Sequence, residues 1–472
     1  MSTPSNSSEL PVAVIGAGPV GLAAAAHLVT RGVPVKLYET GESVAAHVRS
    51  WGHVRLFSPW GYTTDTASTA ILRNHGWQAP PSDVLPTGGD LYAAYLQPLA
   101  ETPELDAVIE TRARVRSVSR AGIDKVVSRN RADHPFALAI EGAGGIRIDL
   151  ARAVIDASGT WASPNPLGAS GTPAAGEAEH ADRIAYGIPD VLGGERSHYL
   201  GRRVLVIGGG HSAANALLDL ARLAEADARS HLVWALRSTS FARIFGSAND
   251  KLPARGKLGH DLKQLVESGR LHVVTGFHAG RVEARDGGLV VTGDTTIGPV
   301  DRIIVATGLR PDLAMTRELR LDLDPWLESP RALAPMIDPN LHSCGTVRPH
   351  GYKELAHPEP CYFTVGIKSY GRAPTFLMAT GYEQVRSVVA HLDGDKAAAN
   401  DVRLVLPETG VCTTDIPGLD LTESGCCGGV ASVASDACCV GDADAKAAGQ
   451  AGCGCGTAKR ADPVAKAAAC CG

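Results

Sequence analysis

Two Val- and Ile-rich runs lie about 190 residues apart in this 472-residue chain, each breaking into a glycine-rich turn and then a helical pattern. A third feature is the crowding of eight of the 11 cysteines beyond residue 425. Together they predict an α/β protein with two Rossmann-like dinucleotide-binding domains, one inserted in the other, followed by a disordered Cys-rich C-terminal tail.

The first run, Leu10 to Ile15, reads as a buried parallel strand. It leads into Gly16-Ala17-Gly18-Pro19-Val20-Gly21 and a helical pattern from Leu22 to Thr30, which Gly32 stops. Val33 to Tyr38 reads as the next strand, ending in Glu39. Each part has a physical task. Gly16 allows the tight turn, Gly18 lets a pyrophosphate approach the backbone, and Gly21 lets the helix pack on the strand. Pro19 suits the first helical position, and the helix N-terminus offers N–H groups and a positive dipole end to the phosphates. Glu39 is placed to accept hydrogen bonds from a ribose diol.

The second run, Arg203 to Ile207, is followed by Gly208-Gly209-Gly210-His211-Ser212-Ala213. Ala213 replaces the third glycine and is still small enough for close packing. The strand after it, Leu232 to Leu236, ends in Arg237 where an NADH site would carry an acid. An acid there would repel a ribose 2′-phosphate and an arginine pairs with it, so this site is expected to prefer NADPH.

Composition narrows the classes. Forty-five Lys plus Arg against 50 Asp plus Glu give a net charge of −5, with 44% hydrophobic and 20% charged residues. That is a globular chain without the basic excess of a nucleic-acid-binding protein. The first ten residues hold no Lys or Arg, so no secretory signal is read there. The apolar stretch Pro11 to Thr30 is interrupted by Gly16, Gly18, Pro19 and Gly21 and is not a membrane span. A cytoplasmic location without a membrane partner is expected, where clustered thiols read as metal ligands or redox groups.

Two nucleotide sites in one chain imply two cofactors. The chain resembles the two-dinucleotide-binding-domain flavoproteins, and within them the flavin-containing monooxygenase-like branch. The resemblance rests on both glycine turns with Glu39 and Arg237, on the strand-end motifs Asp156-Ala157-Ser158-Gly159 and Ala306-Thr307-Gly308, and on the segment Val365 to Pro374. It covers roughly residues 10 to 395. More narrowly, the Gly-His-Ser-Ala turn, the Trp-Ala-Leu-Arg strand and the Lys-Ser-Tyr-Gly-Arg-Ala-Pro segment look like the flavoproteins of bacterial arsenic-resistance operons. The resemblance implies FAD at the first turn, held by Gly16, Gly18, Pro19, Gly21, Glu39, Gly159, Gly366 and Lys368. It implies NADPH at the second, held by Gly208, Gly210, Ser212, Ala213, Arg237 and Gly308. It also implies a layout with the flavin domain split into residues 1–165 and 326–400, the nicotinamide domain inserted at 198–325, and a tail at 422–472.

Within that layout, Leu91 to Leu99 reads as a helix, Arg114 to Val118 and Phe136 to Ile140 as strands, and Gly381 to His391 as a closing helix. Trp161 to Pro166, with two prolines, reads as the hinge crossing. Trp51 to Asp65 is the densest aromatic patch of a chain with only 5% aromatics, and is expected to wall the flavin or substrate pocket, with Trp51 a candidate catalytic residue. His180 is the other candidate. The monooxygenase fingerprint places a glycine and a histidine between two aromatics; Gly176 and His180 have the right separation, but Ala174 and Ile184 stand where the aromatics belong.

From Thr422 to Gly472 there is no Leu, Ile, Met, Phe, Trp or Tyr, too little apolar area to offset the ordering entropy. The cysteines there come in close sets: Cys426-Cys427, Cys438-Cys439, Cys453 with Cys455, and Cys470-Cys471. Such thiols can converge on a soft metal or metalloid such as As(III), and none has zinc-site spacing. Cys344, Cys361 and Cys412 stand alone and read as packing residues. The expected function is an FAD-dependent oxidoreductase that takes hydride from NADPH and oxidises a soft small-molecule substrate with O2, in arsenic or thiophilic-metal resistance. The alternatives are a disulfide, metal or metalloid reductase that uses the tail thiols, and a metalloid-binding protein.

Overall fold

Along β1 (Val12–Ile15) every side chain is buried, and alternate residues enter different cores. Val12 and Val14 face helices, whereas Ala13 and Ile15 face an antiparallel meander. A strand buried on both sides is why the sequence there is continuously apolar rather than alternating. The computed structural model describes residues 9–245, 253–341, 347–374 and 376–404. The expectations for Cys344, Cys412 and the tail fall outside these residues.

The first sheet is parallel and five-stranded, with β2 (Val35–Tyr38) and β3 (Ile109–Glu110) on one side of β1. On the meander face lie β4 (Arg114–Arg120), β5 (Phe136–Gly142) and β6 (Gly145–Ala151). On the other side of β1 sits β7 (Ala153–Asp156), parallel to it. The chain then leaves this sheet to build a second one and returns only at β16 (Tyr362–Thr364).

The second sheet repeats the plan in the parallel order β11 (His272–Thr275), β10 (His231–Leu236), β9 (Arg203–Ile207), β15 (Arg302–Val305), β8 (Ile184–Tyr186). Between β11 and β15 the chain forms a second meander, β12 (Arg281–Arg285), β13 (Gly288–Thr292) and β14 (Thr296–Val300). Val204 and Val206 of β9 enter the helix-side core, and Leu205 and Ile207 the meander-side core. The edge strand β8 precedes residue 198, so this sheet starts earlier in the chain than the resemblance implies. β16 finally pairs with β7 and completes the first sheet.

Helix α1 (Pro19–Thr30) is buried from Val20 to Leu28, and the run Ala23 to Ala26 keeps it close to the sheet. It ends in a Schellman motif: Gly32, at φ +69°, donates to the Val29 carbonyl and Val33 to that of Leu28. Helix α2 (Thr66–Asn74) starts at Asp65, which accepts from Ser68 N–H and from His27 Nε2 at 3.0 Å. Helices α3 (His211–Ala224) and α4 (Pro253–Glu267) cover the second sheet, and α5 (Met378–Leu392) packs beside α1.

Leu91 to Leu99 does not form the single regular helix expected. A capping box at Thr87 and Asp90 opens it, and Tyr92–Leu96 widens into a π-helical turn before Gln97–Ala100. Pro98 is the cause, since it has no N–H to give and its ring crowds the carbonyl four residues back. That carbonyl, on Ala94, accepts from Trp77 Nε1 at 2.7 Å instead.

Candidate cofactor sites

Both glycine turns lie where parallel strands end and a helix begins, and each glycine can be judged by what a Cβ would meet. At Gly16, φ +93°, a Cβ would lie 2.8 Å from the Ala157 carbonyl; at Gly21 it would lie 1.8 Å from the Gly16 carbonyl. Those two glycines serve the fold, by letting the turn touch the β7 end and α1 touch the turn. At Gly18 a Cβ would meet nothing within 4 Å. The same division recurs in the second turn: at Gly208 a Cβ would lie 2.2 Å from the Ala306 carbonyl, and at Gly210 nothing is within 4 Å. Open space over one glycine of each turn is the concavity a pyrophosphate needs. Neither α1 nor α3 has a side-chain cap, so the dipole end of each helix faces that space. Ser212 is half-buried in the first turn of α3, and Ala213 is fully buried against the sheet. The residues present therefore fit two dinucleotides.

The carboxylate of Glu39 is held rather than free. Its oxygens accept from Ala17 N–H and Gly41 N–H, both at 2.8 Å, which fixes it beside the first turn. Each oxygen keeps a second lone pair for a ribose hydroxyl. Arg237, exposed after β10, donates through Nη1 to the Ala169 carbonyl at 2.9 Å, and its guanidinium carries four further N–H donors. Gly159 and Gly308 adopt φ of +72° and +94° at the two strand ends. Gly366 has φ +68° and packs against Val20 of α1.

Lys368 is placed differently from the expectation. Its ammonium is buried and donates to Asp156 Oδ2 at 2.8 Å and Ser158 Oγ at 2.9 Å. Asp156 also accepts from Tyr362 OH at 2.9 Å and from Ser158 Oγ at 2.6 Å. With a side chain only 1% exposed, Lys368 cannot meet a phosphate. It neutralises a buried carboxylate and ties the β16 return to the end of β7.

The aromatic segment connects the two sites. Trp51 meets Trp161 of the crossing with ring centroids 6.4 Å apart. Phe57 packs edge-on against His211, at the start of α3, at 5.4 Å. His180 lies apart from this contact, half-buried at the start of a short 3-10 turn (Ala181–Arg183) before β8. Sequence reading passed over Asn165. It fastens the crossing to the second strand end: its N–H reaches the Gly308 carbonyl at 2.9 Å, and its Nδ2 the Thr307 carbonyl at 3.2 Å. Its Oδ1 is buried without a hydrogen-bond partner. Among the described residues no group of three or more His, Cys, Asp or Glu could hold a metal ion, and no helix is long and apolar enough to cross a membrane.

Two parallel sheets, each running into a glycine turn with open space over one glycine, are the frame of a dinucleotide-binding α/β protein. Residues 13–330 match the pyridine nucleotide-disulphide oxidoreductase family, and the chain belongs to it. FAD and NADPH are the cofactors of this family. No match is found among curated protein sequences. Among solved structures, the chain is similar to the bacillithiol disulfide reductase Bdr of Bacillus cereus, at 18% identity and a TM-score of 0.60, over 82% of this chain and 99% of that one. A flavin-containing monooxygenase from Stenotrophomonas maltophilia gives 20% identity and a TM-score of 0.53, over 82% and 98%. DfoA, the FAD-bound cadaverine monooxygenase of Erwinia amylovora, gives 13% and 0.56, over 86% and 99%.

Proposed function

We propose that the protein takes hydride from NADPH onto FAD and passes the electrons to O2 to oxidise a soft small-molecule substrate, As(III) or a thiol being the chemistry its cysteines favour. FAD is assigned to the turn Gly16–Gly21 and NADPH to the turn Gly208–Ala213. The flavin, when bound, supplies the two-electron acceptor and the site of reaction with O2. The chain's own residues bind and orient. The α1 and α3 dipoles meet the two pyrophosphates, Glu39 the flavin-side ribose, and Arg237 the 2′-phosphate. Trp51, Trp161 and Phe57 wall the crevice between the turns and keep water from it. No general acid or base is assigned, because hydride transfer needs positioning above all.

The observation that carries the O2 reading is the cysteine pattern of the body. Cys344, Cys361 and Cys412 stand far apart in sequence, so residues 1–425 contain no CxxC or CxxxxC redox pair of the kind that receives electrons from a flavin. Cys361 itself is free, exposed and remote in sequence from both turns. The test is NADPH and O2 consumption with and without As(III), with peroxide measured to detect uncoupling. O2 uptake that As(III) neither stimulates nor couples removes the metalloid substrate, and a flavin that NADPH does not bleach anaerobically removes the whole reading.

A second reading, a disulfide or metalloid reductase, is favoured by the likeness to the bacillithiol disulfide reductase. It needs the tail cysteines, Cys426, Cys427, Cys438, Cys439, Cys453, Cys455, Cys470 and Cys471, as the missing dithiols and as ligands for a soft ion. Removing residues 422–472 separates the two readings: turnover that survives the deletion rules out the relay. A protein with the tail intact that binds neither As(III) nor Hg(II) after thiol reduction has no ion-binding tail.

A further inference from the structure

β16 is followed by a 3-10 turn, Gly366–Tyr370, that sits on the phosphate-binding end of α1. A Cβ on Gly366 would lie 3.3 Å from the Val20 side chain, and one on Gly381 of α5 would lie 2.6 Å from it. Turn, α5 and the first turn of α1 therefore touch with no room between them. Behind the turn runs a buried chain of hydrogen bonds. Gly366 N–H donates to Gln384 Oε1 at 2.8 Å. Gln384 Nε2 contacts Ser369 Oγ and His350 Nε2, both at 3.0 Å. Ser369 Oγ donates back to the Gly366 carbonyl at 2.7 Å, and His350 Nδ1 lies 3.0 Å from the Arg348 carbonyl. His350 is 2% exposed, and Gln384 and Ser369 are fully buried.

Proton counting along this chain has one solution. The Arg348 carbonyl only accepts, so the imidazole proton is on Nδ1. Gly366 N–H only donates, so the amide oxygen of Gln384 faces it and the NH2 faces His350. The Nε2 of His350 is therefore the acceptor, and the ring is neutral. A proton on Nε2 would set two donors 3.0 Å apart. The remedy, turning the Gln384 amide over, would leave Gly366 N–H facing NH2.

We propose that His350 is a positioning residue: its neutral ring, acting through Gln384, locks the Gly366 turn onto the FAD-binding end of α1, and protonating it loosens the hold on the flavin. This rests on the assignment of FAD to the first turn. Burial lowers the His350 pKa below its usual 6.5, while Glu354 on the same loop opposes the shift. From the 3-10 turn the Tyr370 ring faces it at 5.9 Å, and from α5 the uncharged Gln384 amide. The folded state favours the neutral form, so the hold is complete above about pH 6.5 and fades as pH falls through the lowered value.

The experiment measures FAD release from the holoprotein at constant ionic strength, from about pH 8 to about pH 5. In the wild type the apparent Kd is expected to rise as pH falls below about 6.5. His350→Ala removes the acceptor and should raise Kd roughly fivefold at neutral pH, the worth of one buried hydrogen bond. His350→Gln, which keeps a non-titrating acceptor, should restore the neutral-pH Kd and flatten the acid rise; it also serves if the alanine variant does not fold. A wild type and His350→Gln with the same acid rise, or a His350→Ala protein with unchanged affinity, overturn the proposal while leaving the flavin assignment intact. A wild type that binds no FAD overturns both.

Discussion

Gly18 and Gly21 stand three residues apart in one motif, yet the structure predicts opposite consequences for the same alanine substitution. Gly21→Ala would drive a Cβ to 1.8 Å from the Gly16 carbonyl, more than 1 Å inside any tolerable contact. Because the obstacle is backbone, α1 must move off the turn, and a loss of about 3 kcal/mol or more follows. Gly18→Ala meets nothing within 4 Å, and Gly18 has φ −76° and ψ −175°, which alanine adopts freely. Loss of a glycine N-cap and the gain from a stiffer unfolded chain nearly cancel, to within about 1 kcal/mol. The new methyl instead occupies the space over the turn, and FAD affinity should fall at least about tenfold. Thermal unfolding of the apoprotein and FAD titration of each variant separate fold from binding. A Gly18→Ala protein with wild-type FAD affinity would refute the placement of a pyrophosphate over that residue. A Gly21→Ala protein of wild-type stability would refute the packing argument.

Lys368→Met should cost about 3–5 kcal/mol in denaturant unfolding, because Asp156 stays buried without its cation; adding Asp156→Asn should recover much of it. His357 is held neutral by burial, with a pKa pushed down to about 4, and its Nδ1 accepts from Asp322 N–H at 3.3 Å. A lowered histidine pKa gives stability that is whole above about pH 6.5 and lost as pH falls from there to about 4. The loss is about 3 kcal/mol, and it should be absent from denaturation curves of a His357→Gln variant. Arg237→Ser should raise the Kd for NADPH about tenfold and leave that for NADH unchanged, measured by calorimetry. Equal losses for both nucleotides would mean that Arg237 does not meet the 2′-phosphate.

What was legible in the sequence is what local geometry forces. Gly16, Gly21 and Gly208 must be glycine because backbone crowds their Cβ positions, and that necessity shows as a spaced motif. Arg203 to Ile207 was bounded correctly because both its faces are buried, so apolar character marks every position after the first. The Lys368–Asp156 pair was hidden: the two residues lie 212 positions apart, and only the pairing of β16 with β7 brings them together. Lys368 was consequently read as a cofactor ligand from its motif alone. The π-helical turn before Pro98 was hidden as well, since the donor that satisfies the freed Ala94 carbonyl is Trp77, from a different segment. Asn165 left no signal, because an amide that fastens a crossing looks like any loop residue.

The return of β16 to β7 also orders the birth of the molecule. Every strand of the second sheet lies between residues 184 and 305, after β7 has left the ribosome and before β16 is made. The second sheet can thus close while the first still exposes the edge of β7, whose backbone groups await a partner more than 200 residues downstream. Closing so long a loop is slow, and an open parallel edge invites pairing with the wrong strand. Truncations that end before residue 362 should therefore aggregate on synthesis, although both glycine turns are present in them.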